Sequence, residues 1–145
     1  MPYKALKIKF IKKLRIYAII TGLFIKTVEE YHKPMIEAKV TMELPAKKRD
    51  ILKAEFGKAI SIIGKPESYL MINLVDKQDL YFDGNKLDKG AYVEVKVLGN
   101  VDGGSSDKMT SKLCEILEKE LGILGNAVYI SYWGTQNWGH NGGNF

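Results

Sequence analysis

The sequence has very little cysteine and histidine. Among its 145 residues there is one cysteine, Cys114, and there are two histidines, His32 and His140. A single cysteine excludes an intrachain disulfide and a Cys-x-x-Cys redox pair. The histidines lie far apart and have no ligand-like spacing with the cysteine, so we expect neither a metal site nor a cofactor. Because Cys114 falls on the inner side of a helical pattern, we expect it to pack as a small buried side chain.

The N-terminal segment lacks the length that a transmembrane helix needs. Its apolar run, residues 16–25, has ten residues, whereas about 20 are required to cross a bilayer. Basic residues precede this run, as in a secretory signal, but no small-x-small cleavage site follows it. Three interpretations of residues 1–33 stay open: an ordered or membrane-surface appendage, a signal-like anchor, or an unstructured or upstream segment. The compartment stays open with them, cytoplasmic or secreted and extracellular, with a membrane tether as one option.

Positive charge is missing from most of the chain. The formal net charge is +5, yet residues 1–33 hold eight Lys or Arg and two Glu, while residues 34–145 hold 14 basic and 15 acidic residues. Nucleic-acid binding needs a basic face for phosphate contacts. Residues 34–145 show no such basic stripe, so we expect no nucleic-acid partner. The chain therefore divides into a basic, partly apolar extension, 1–33, and one domain, 34–145.

The pattern of this domain predicts elements in the order β-α-β-β-α-β. An alternating run predicts a first strand from Pro34 to Glu43, and Pro34 has no amide hydrogen to donate. A helical apolar stripe follows, which Pro45 opens and Gly64 closes. The further predicted elements are a centrally buried strand at residues 68–75, a turn at residues 83–85, an alternating strand at residues 91–100, a helix at residues 107–121 with Ser105 or Ser106 as its N-cap, and a strand at residues 126–133.

These elements predict an α+β fold, a two-layer sandwich of two helices on a four-stranded mixed sheet. Right-handed crossovers place both helices on the same face of the sheet. The other face, with Val or Tyr at many positions, would be bare in a monomer, and such exposed apolar surface predicts an oligomer. The glycine-rich and aromatic tail, residues 134–145, shows no helical or strand period.

Six short stretches occur in one order and at fitting spacings. They are the strand opening "PM", the "GKPESYLM" link after the first helix, the "YVEVKVLG" strand, "SKLCEILEKELGI" in the second helix, "VYISY" and the closing "NWGHNGGNF". Together they resemble the macrophage migration inhibitory factor family of the tautomerase superfamily, over residues 34–145. The resemblance implies a trimeric tautomerase-like fold, that is, a homotrimer with an active site at each subunit interface.

The resemblance also implies which residues form the site. Pro34 corresponds to the family's N-terminal proline, whose amine is the acid/base, and Lys65 to the cation that neutralises a substrate carboxylate or an enolate. The implied substrate-binding residues are Met35, Leu98, Tyr129, Ser131, Trp138 and Phe145. Of these, Tyr129 and Ser131 would come from a neighbouring subunit. The implied activity is keto–enol tautomerisation, of the phenylpyruvate tautomerase or dopachrome isomerase type, on a small aromatic keto acid or a quinone-like substrate.

Four features depart from the family pattern. Ser131 stands where many members have asparagine, so a hydrogen bond to substrate is expected to change or be lost. His140 replaces an aromatic residue of the tail and would add a titrating group at the pocket rim. The Cys-x-x-Cys pair of some members is absent, so we expect no oxidoreductase activity. Finally, Lys33 precedes Pro34.

The bond between Lys33 and Pro34 decides between two functions. In an intact chain the Pro34 nitrogen is a tertiary amide whose lone pair is delocalised into the carbonyl, so it is not a base near neutral pH. We therefore predict an isomerase on condition that processing frees Pro34. The alternative is a catalytically blocked, trimeric, cytokine-like binding or signalling protein, with a receptor protein as partner and a basic leader that binds a membrane or a partner.

Overall fold

The computed structural model of the chain describes residues 33–145. The predictions for residues 1–32, including the membrane contact of the extension, lie outside this described part. Within residues 33–145 no helix is both long enough and apolar enough to cross a membrane.

A four-stranded mixed sheet packs against two helices. The elements in chain order are β1 (Met35–Val40), α1 (Ala46–Ala59), β2 (Met71–Val75), β3 (Tyr81–Phe82), β4 (Asn85–Lys86), β5 (Ala91–Leu98), α2 (Gly103–Leu121), β6 (Val128–Thr135), β7 (Gly139–His140) and β8 (Gly143–Asn144). The sheet order is β2-β1-β5-β6, with β1 antiparallel to β5 and with both outer pairs parallel. This arrangement confirms the predicted α+β class and its β-α-β-β-α-β order.

Two small hairpins are added to this frame. Strands β3 and β4 form a hairpin around the predicted turn, where Asp83 and Gly84 have φ of 49° and 75°. Strands β7 and β8 form a second hairpin in the tail, where the sequence has no strand period. Two-residue strands are too short for such a period to be visible.

The core lies between the helices and the inner face of the sheet. Alternation along β1 and β5 sends every second side chain toward the helices. The almost fully buried residues include Ile36, Ala38 and Val40 of β1, Val93, Val95 and Val97 of β5, Leu52 and Phe56 of α1, and Met109, Leu113 and Leu117 of α2. Burying each large apolar side chain contributes about 1.5–3 kcal/mol, so this layer holds the two helices on the sheet.

The helix ends agree with the sequence at glycine and differ at one cap. Helix α1 passes into a 3₁₀ turn that ends at Gly64, and α2 ends at Gly122; both glycines have left-handed backbone. The prediction of Ser105 or Ser106 as N-cap of α2 was wrong. Asp102 is the N-cap, because its carboxylate accepts a hydrogen bond from the Ser105 amide at 2.8 Å, and α2 begins at residue 103.

The strand predicted at residues 68–75 is an edge strand and not a central one. Residues Glu67–Tyr69 form a 3₁₀ turn, and β2 begins only at Met71. The Met71 side chain is 67% exposed, since β2 has a neighbour, β1, on one side only. A continuous apolar run is typical of a strand covered on both faces, and this run predicted too much burial.

The open face of the sheet, the face that points away from the helices, is largely polar. The expectation of Val or Tyr at many positions was wrong for valine, because the valines of β5 point toward the helices, whereas Tyr92 and Tyr129 lie on the open face. On the open face Lys39 pairs with Glu37 at 3.3 Å and Lys96 pairs with Glu94 at 3.4 Å. Its most exposed apolar and aromatic side chains lie on the two outer strands: Met71, Tyr129 and Trp133.

Candidate functional site

Pro34 lies at one end of the sheet, immediately before β1. The residue is buried, and its carbonyl oxygen accepts a hydrogen bond from the Met71 amide at 3.1 Å. The antiparallel register of β1 and β5 aligns Met35 with Lys96. Pro34 is therefore level with Val97, the residue before Leu98 at the end of β5.

Lys65 reaches the same end of the sheet. The left-handed Gly64 turns the chain out of the helix, so that Lys65 leads toward β5. The Lys65 Nζ donates a hydrogen bond to the Leu98 carbonyl oxygen at 3.3 Å. Burial lowers the pKa of the Lys65 ammonium from its ordinary value of 10.5. The fold thus places a partly desolvated cation at the β5 end that adjoins Pro34.

The tail hairpin adds aromatic side chains at this end. The Phe145 amide donates to the Trp138 carbonyl oxygen at 3.1 Å, which closes the hairpin, and His140 stacks on Phe145 with ring centroids 6.3 Å apart. The Lys33 Nζ lies 3.8 Å from the centroid of the Phe145 ring. Because Lys33 is bonded to Pro34, this contact brings the hairpin to the Pro34 end.

Tyr69 is a candidate site residue that sequence reasoning missed. It ends the 3₁₀ turn after Lys65, its side chain is 47% exposed, and the Lys33 Nζ lies 5.5 Å from its ring centroid. The "GKPESYLM" stretch carries the signal that could have found it. The interpretation of residues 68–75 as one buried strand hid this turn and its exposed ring.

Met35 and Leu98 flank Pro34 in different ways. Met35 is partly exposed on the open face, where it pairs with Met71 of β2. The Leu98 residue is only 1% exposed, and its carbonyl oxygen is the group that Lys65 contacts. Within one subunit, Leu98 therefore anchors the lysine, while the two methionines offer apolar surface beside Pro34.

Tyr129 and Ser131 lie away from Pro34 of their own subunit. The strand register places Pro34 level with Gly134 of β6. Ser131 and Tyr129 precede Gly134 by three and five residues, which corresponds to about 10 and 17 Å along the strand. Strand β5 also separates β6 from β1. One subunit does not bring these two side chains to its own proline.

Ser131 and Tyr129 have contacts of their own on the open face. The Ser131 Oγ accepts a hydrogen bond from the Trp133 Nε1 at 2.9 Å and lies 3.0 Å from the Tyr92 hydroxyl. Tyr129 is 65% exposed and packs on Phe82, with ring centroids 5.7 Å apart. A ligand that contacts Ser131 must share a hydroxyl that is already bonded within the subunit.

An apolar cavity of about 210 Å³ lies beside Tyr129 and not beside Pro34. Its walls include Tyr81 and Phe82 of the β3–β4 hairpin and Val128 of β6. Within one subunit, the end of the sheet that holds Pro34 and Lys65 is thus separate from this aromatic cavity. Chemistry at Pro34 would have to take its enclosing walls from elsewhere.

The described residues offer little to a metal ion. Residues 33–145 contain no group of three or more His, Cys, Asp or Glu side chains that could hold one. Cys114 is partly exposed and not fully buried as predicted, and burial raises the pKa of its thiol. A thiol with a raised pKa is a weak nucleophile near neutral pH.

Comparison with known proteins gives one family and a set of similar folds. The family model described as macrophage migration inhibitory factor (MIF) matches residues 33–145. A Xenopus laevis protein named macrophage migration inhibitory factor is 37% identical over 84 residues, which are 57% of this chain and 72% of that protein. The family-model match covers the part of the chain that carries all the predicted site residues.

Solved structures extend the similarity to the fold. The crystal structure of Leishmania major MIF2 has a TM-score of 0.73 and 32% sequence identity, and the match covers 79% of this chain and 98% of that chain. A macrophage migration inhibitory factor homologue from Prochlorococcus marinus has a TM-score of 0.67 and 30% identity, over 77% of this chain and 98% of that chain.

Proposed function

Since the chain belongs to the macrophage migration inhibitory factor family, we propose that it is a keto–enol tautomerase whose acid/base is the Pro34 nitrogen, once that nitrogen is free. The substrate is a small aromatic keto acid or a quinone-like compound, as for phenylpyruvate tautomerase or dopachrome isomerase. The two-part organisation belongs to the proposal: residues 1–33 are an extension, and residues 34–145 are the catalytic domain.

The main support for this proposal is that Pro34 and Lys65 lie at the same end of the sheet. Lys65 is held there by its bond to the Leu98 carbonyl oxygen at 3.3 Å, and Pro34 is buried beside the same strand end. A free N-terminal amine has a pKa near 8 in water. Burial and a nearby cation both disfavour its charged form and lower that pKa, so a useful fraction is neutral at pH 7.

The neutral amine then moves a proton between two atoms of the substrate. It accepts a proton from the carbon next to a carbonyl and returns it at another position, which interconverts keto and enol forms. The Lys65 ammonium neutralises the substrate carboxylate or the charge that develops on the enolate oxygen. Met35, Trp138, Phe145 and the carbonyl side of Leu98 form the surrounding wall.

A homotrimer supplies the missing walls. Tyr129 and Ser131 stand about 17 and 10 Å along the strand from the level of their own Pro34, which supports their use by a neighbouring subunit. The exposed Tyr129 and Trp133 on the outer strand β6 are suited to burial against another copy. Closed cyclic symmetry gives every site one neighbour that can donate them.

The proposal is tested by the state of the N-terminus and by activity together. Intact mass and N-terminal sequencing of natively expressed protein show whether Pro34 becomes the first residue. An absorbance assay of phenylpyruvate enol–keto conversion then compares that form with the full chain. The described core lies within residues 36–123, so the shorter form retains it. Turnover by the full chain at the rate of the Pro34-first form would contradict the proline mechanism.

The alternative function is a trimeric, cytokine-like binding or signalling protein that acts with Pro34 blocked. One contact favours it: the Lys33 Nζ lies 3.8 Å from the centroid of the Phe145 ring, a contact that requires the Lys33–Pro34 bond to be intact. A native N-terminus upstream of Pro34, with no turnover, is the result expected for this alternative. Its partners would be a receptor protein and, through residues 1–33, a membrane or another protein, in a cytoplasmic or extracellular location.

A further inference from the structure

The Lys33 ammonium occupies the space between two aromatic rings. Its Nζ lies 3.8 Å from the centroid of the Phe145 ring and 5.5 Å from that of the Tyr69 ring. Distances below about 6 Å to a ring centroid are those of favourable cation–π contacts. Lys33 therefore joins three separate segments: the residue before β1, the 3₁₀ turn after Lys65, and the tail hairpin.

We call the space between these two rings the aromatic cleft; under the proposed function it would receive an aromatic substrate. Phe145 is one of the predicted substrate-binding residues, and Tyr69 follows Lys65 in the turn that the structure places at this end. An ammonium at 3.8 Å is in direct contact with the ring face and leaves no room for a second ring there. While Lys33 stays in place, an aromatic ligand cannot stack on that face of Phe145.

We infer that Lys33 is a tethered occupant of the aromatic cleft and closes it to aromatic ligands as long as the chain continues upstream of Pro34. The contact is autoinhibitory in addition to the amide bond: the amide removes the base, and the side chain removes the binding surface. Cutting the Lys33–Pro34 bond would undo both at once. This inference rests on the proposed function in one respect, namely that this cleft is the substrate cleft.

An opposite role for Lys33 is also physically conceivable and predicts the opposite result. A second ammonium near Lys65 could attract a carboxylate ligand and strengthen its binding. The seating of Lys33 on ring faces argues for occlusion, because an ammonium in contact with Phe145 points its charge at the ring. The two roles differ in the sign of the effect when Lys33 is removed.

The experiment measures ligand binding in chains that all keep Pro34 acylated. The probe is 3-phenylpropanoate, an aromatic carboxylate without a ketone, so that it binds but does not tautomerise. Its affinity is measured by calorimetry or NMR titration for the full chain, Lys33→Ala and Lys33→Arg. Lys58→Ala is the charge-matched control, because Lys58 is an exposed residue of α1 whose partner is Glu55. Circular dichroism checks that each variant is folded.

We expect Lys33→Ala to bind the probe roughly 3- to 30-fold more tightly than the unmodified chain, which is the range of a cation–π contact. Lys33→Arg keeps a cation that stacks on aromatic rings, so its affinity should stay within about twofold of the unmodified chain, as should that of Lys58→Ala. Unchanged or weaker binding by Lys33→Ala, or no detectable binding by any form, would overturn the inference.

A direct readout of the contact separates occlusion from a general effect on folding. Protons next to the Lys33 Nζ lie over the Phe145 ring, so their NMR signals should be shifted upfield by the ring current. Phe145→Leu should abolish that shift and leave the helices and the sheet unchanged. If the shift is absent in the unmodified chain, Lys33 is not the occupant.

The outcomes distinguish this inference from the proposed function. Tighter probe binding by Lys33→Ala combined with an inactive Pro34-first protein would leave the occlusion standing and remove the tautomerase. An active Pro34-first protein combined with unchanged probe binding by Lys33→Ala would support the tautomerase and rule out the occlusion.

Discussion

The two ends of the sheet differ in chemistry. The Pro34 end holds a buried proline, a lysine whose pKa is lowered by burial, and a second lysine seated on an aromatic ring. The Tyr129 end holds an apolar cavity of about 210 Å³ walled by aromatic side chains. The Pro34 end has charge, a nitrogen and the Phe145 and Tyr69 rings, whereas the Tyr129 end has an apolar cavity and neither Pro34 nor Lys65. This difference agrees with the proposal that neighbouring subunits complete each other's sites, and the predictions that follow test that division.

Freeing the nitrogen at the Pro34 end should produce the largest effect. We expect a chain that begins at Pro34 to convert phenylpyruvate, and one extra alanine in front of Pro34 to lower kcat/KM by roughly 10²- to 10⁴-fold, the usual contribution of a general acid/base. The alanine restores the amide without restoring the Lys33 side chain. The enol–keto absorbance assay checks this, and equal rates for the two proteins would show that the nitrogen is not the base.

Replacing Lys65 should have the next largest effect. Lys65→Met removes the cation that the proposed mechanism sets against the substrate carboxylate, and we expect kcat/KM of the Pro34-first protein to fall by roughly 10²-fold. Lys58→Ala is again the control, since Lys58 lies on the exposed side of α1. A loss confined to thermal stability, with unchanged kinetics, would make Lys65 a structural residue only.

The pH dependence of KM should identify the same lysine. Burial lowers the pKa of Lys65, so the ammonium loses its proton at a lower pH than an ordinary lysine. Binding of a carboxylate needs the ammonium, and KM should therefore rise with pH before 10.5 is reached. Lys65→Arg stays charged throughout this range, so its KM should not show the rise. An alkaline rise that persists in Lys65→Arg would assign it to another group.

Complementation between subunits tests most directly whether a neighbouring subunit completes the site. In the Pro34-first protein, one extra alanine in front of Pro34 removes the base from one half of the site, and Tyr129→Ala damages the other half, by about tenfold. If a neighbour donates Tyr129, random mixing of the two variants in one assembly restores intact sites to roughly a quarter of positions. Refolding the variants together and assaying the mixture checks this. Activity no higher than the average of the separate variants would contradict the shared site.

The sequence predicts the layers of this fold better than the edges of its sheet. Alternation along β5 is a local property that predicted the strand, but not which of its two faces packs on the helices, since the valines were expected on the open face. The apolar run of β2 does not show how many strands pair with it. A strand that has one neighbour was therefore expected in the middle of the sheet. Tyr69 was missed for the same reason, because its exposure follows from the 3₁₀ turn. Pro34 and Lys65 were found by resemblance, and the structure supplied their shared strand end.

The smallest predicted effect concerns the cap of α2, which follows the Pro34 end of β5. Asp102 accepts a hydrogen bond from the Ser105 amide; the Ser105 hydrogen bonds, first from its side chain and then from its backbone, hold the pKa of Asp102 below its ordinary value of 3.8. A lowered folded-state pKa stabilises the protein above the unfolded pKa, and this stability is lost as pH falls through the folded pKa.

Replacing this cap should therefore lower the melting temperature by a few degrees at pH 7. Asp102→Ala removes the cap, and loss of one N-cap in a domain of this size corresponds to about 2–5 °C. Asp102→Asn keeps a capping oxygen without an ionisable proton, so we expect a melting temperature close to that of the unmodified chain at pH 7 and a smaller loss of stability between pH 4 and 2. Ser106→Ala should change little, because its hydroxyl donates only to the Gly103 carbonyl oxygen. If Ser106→Ala destabilised the protein more than Asp102→Ala, the serine cap expected from the sequence would be correct and the start of α2 at residue 103 would be wrong.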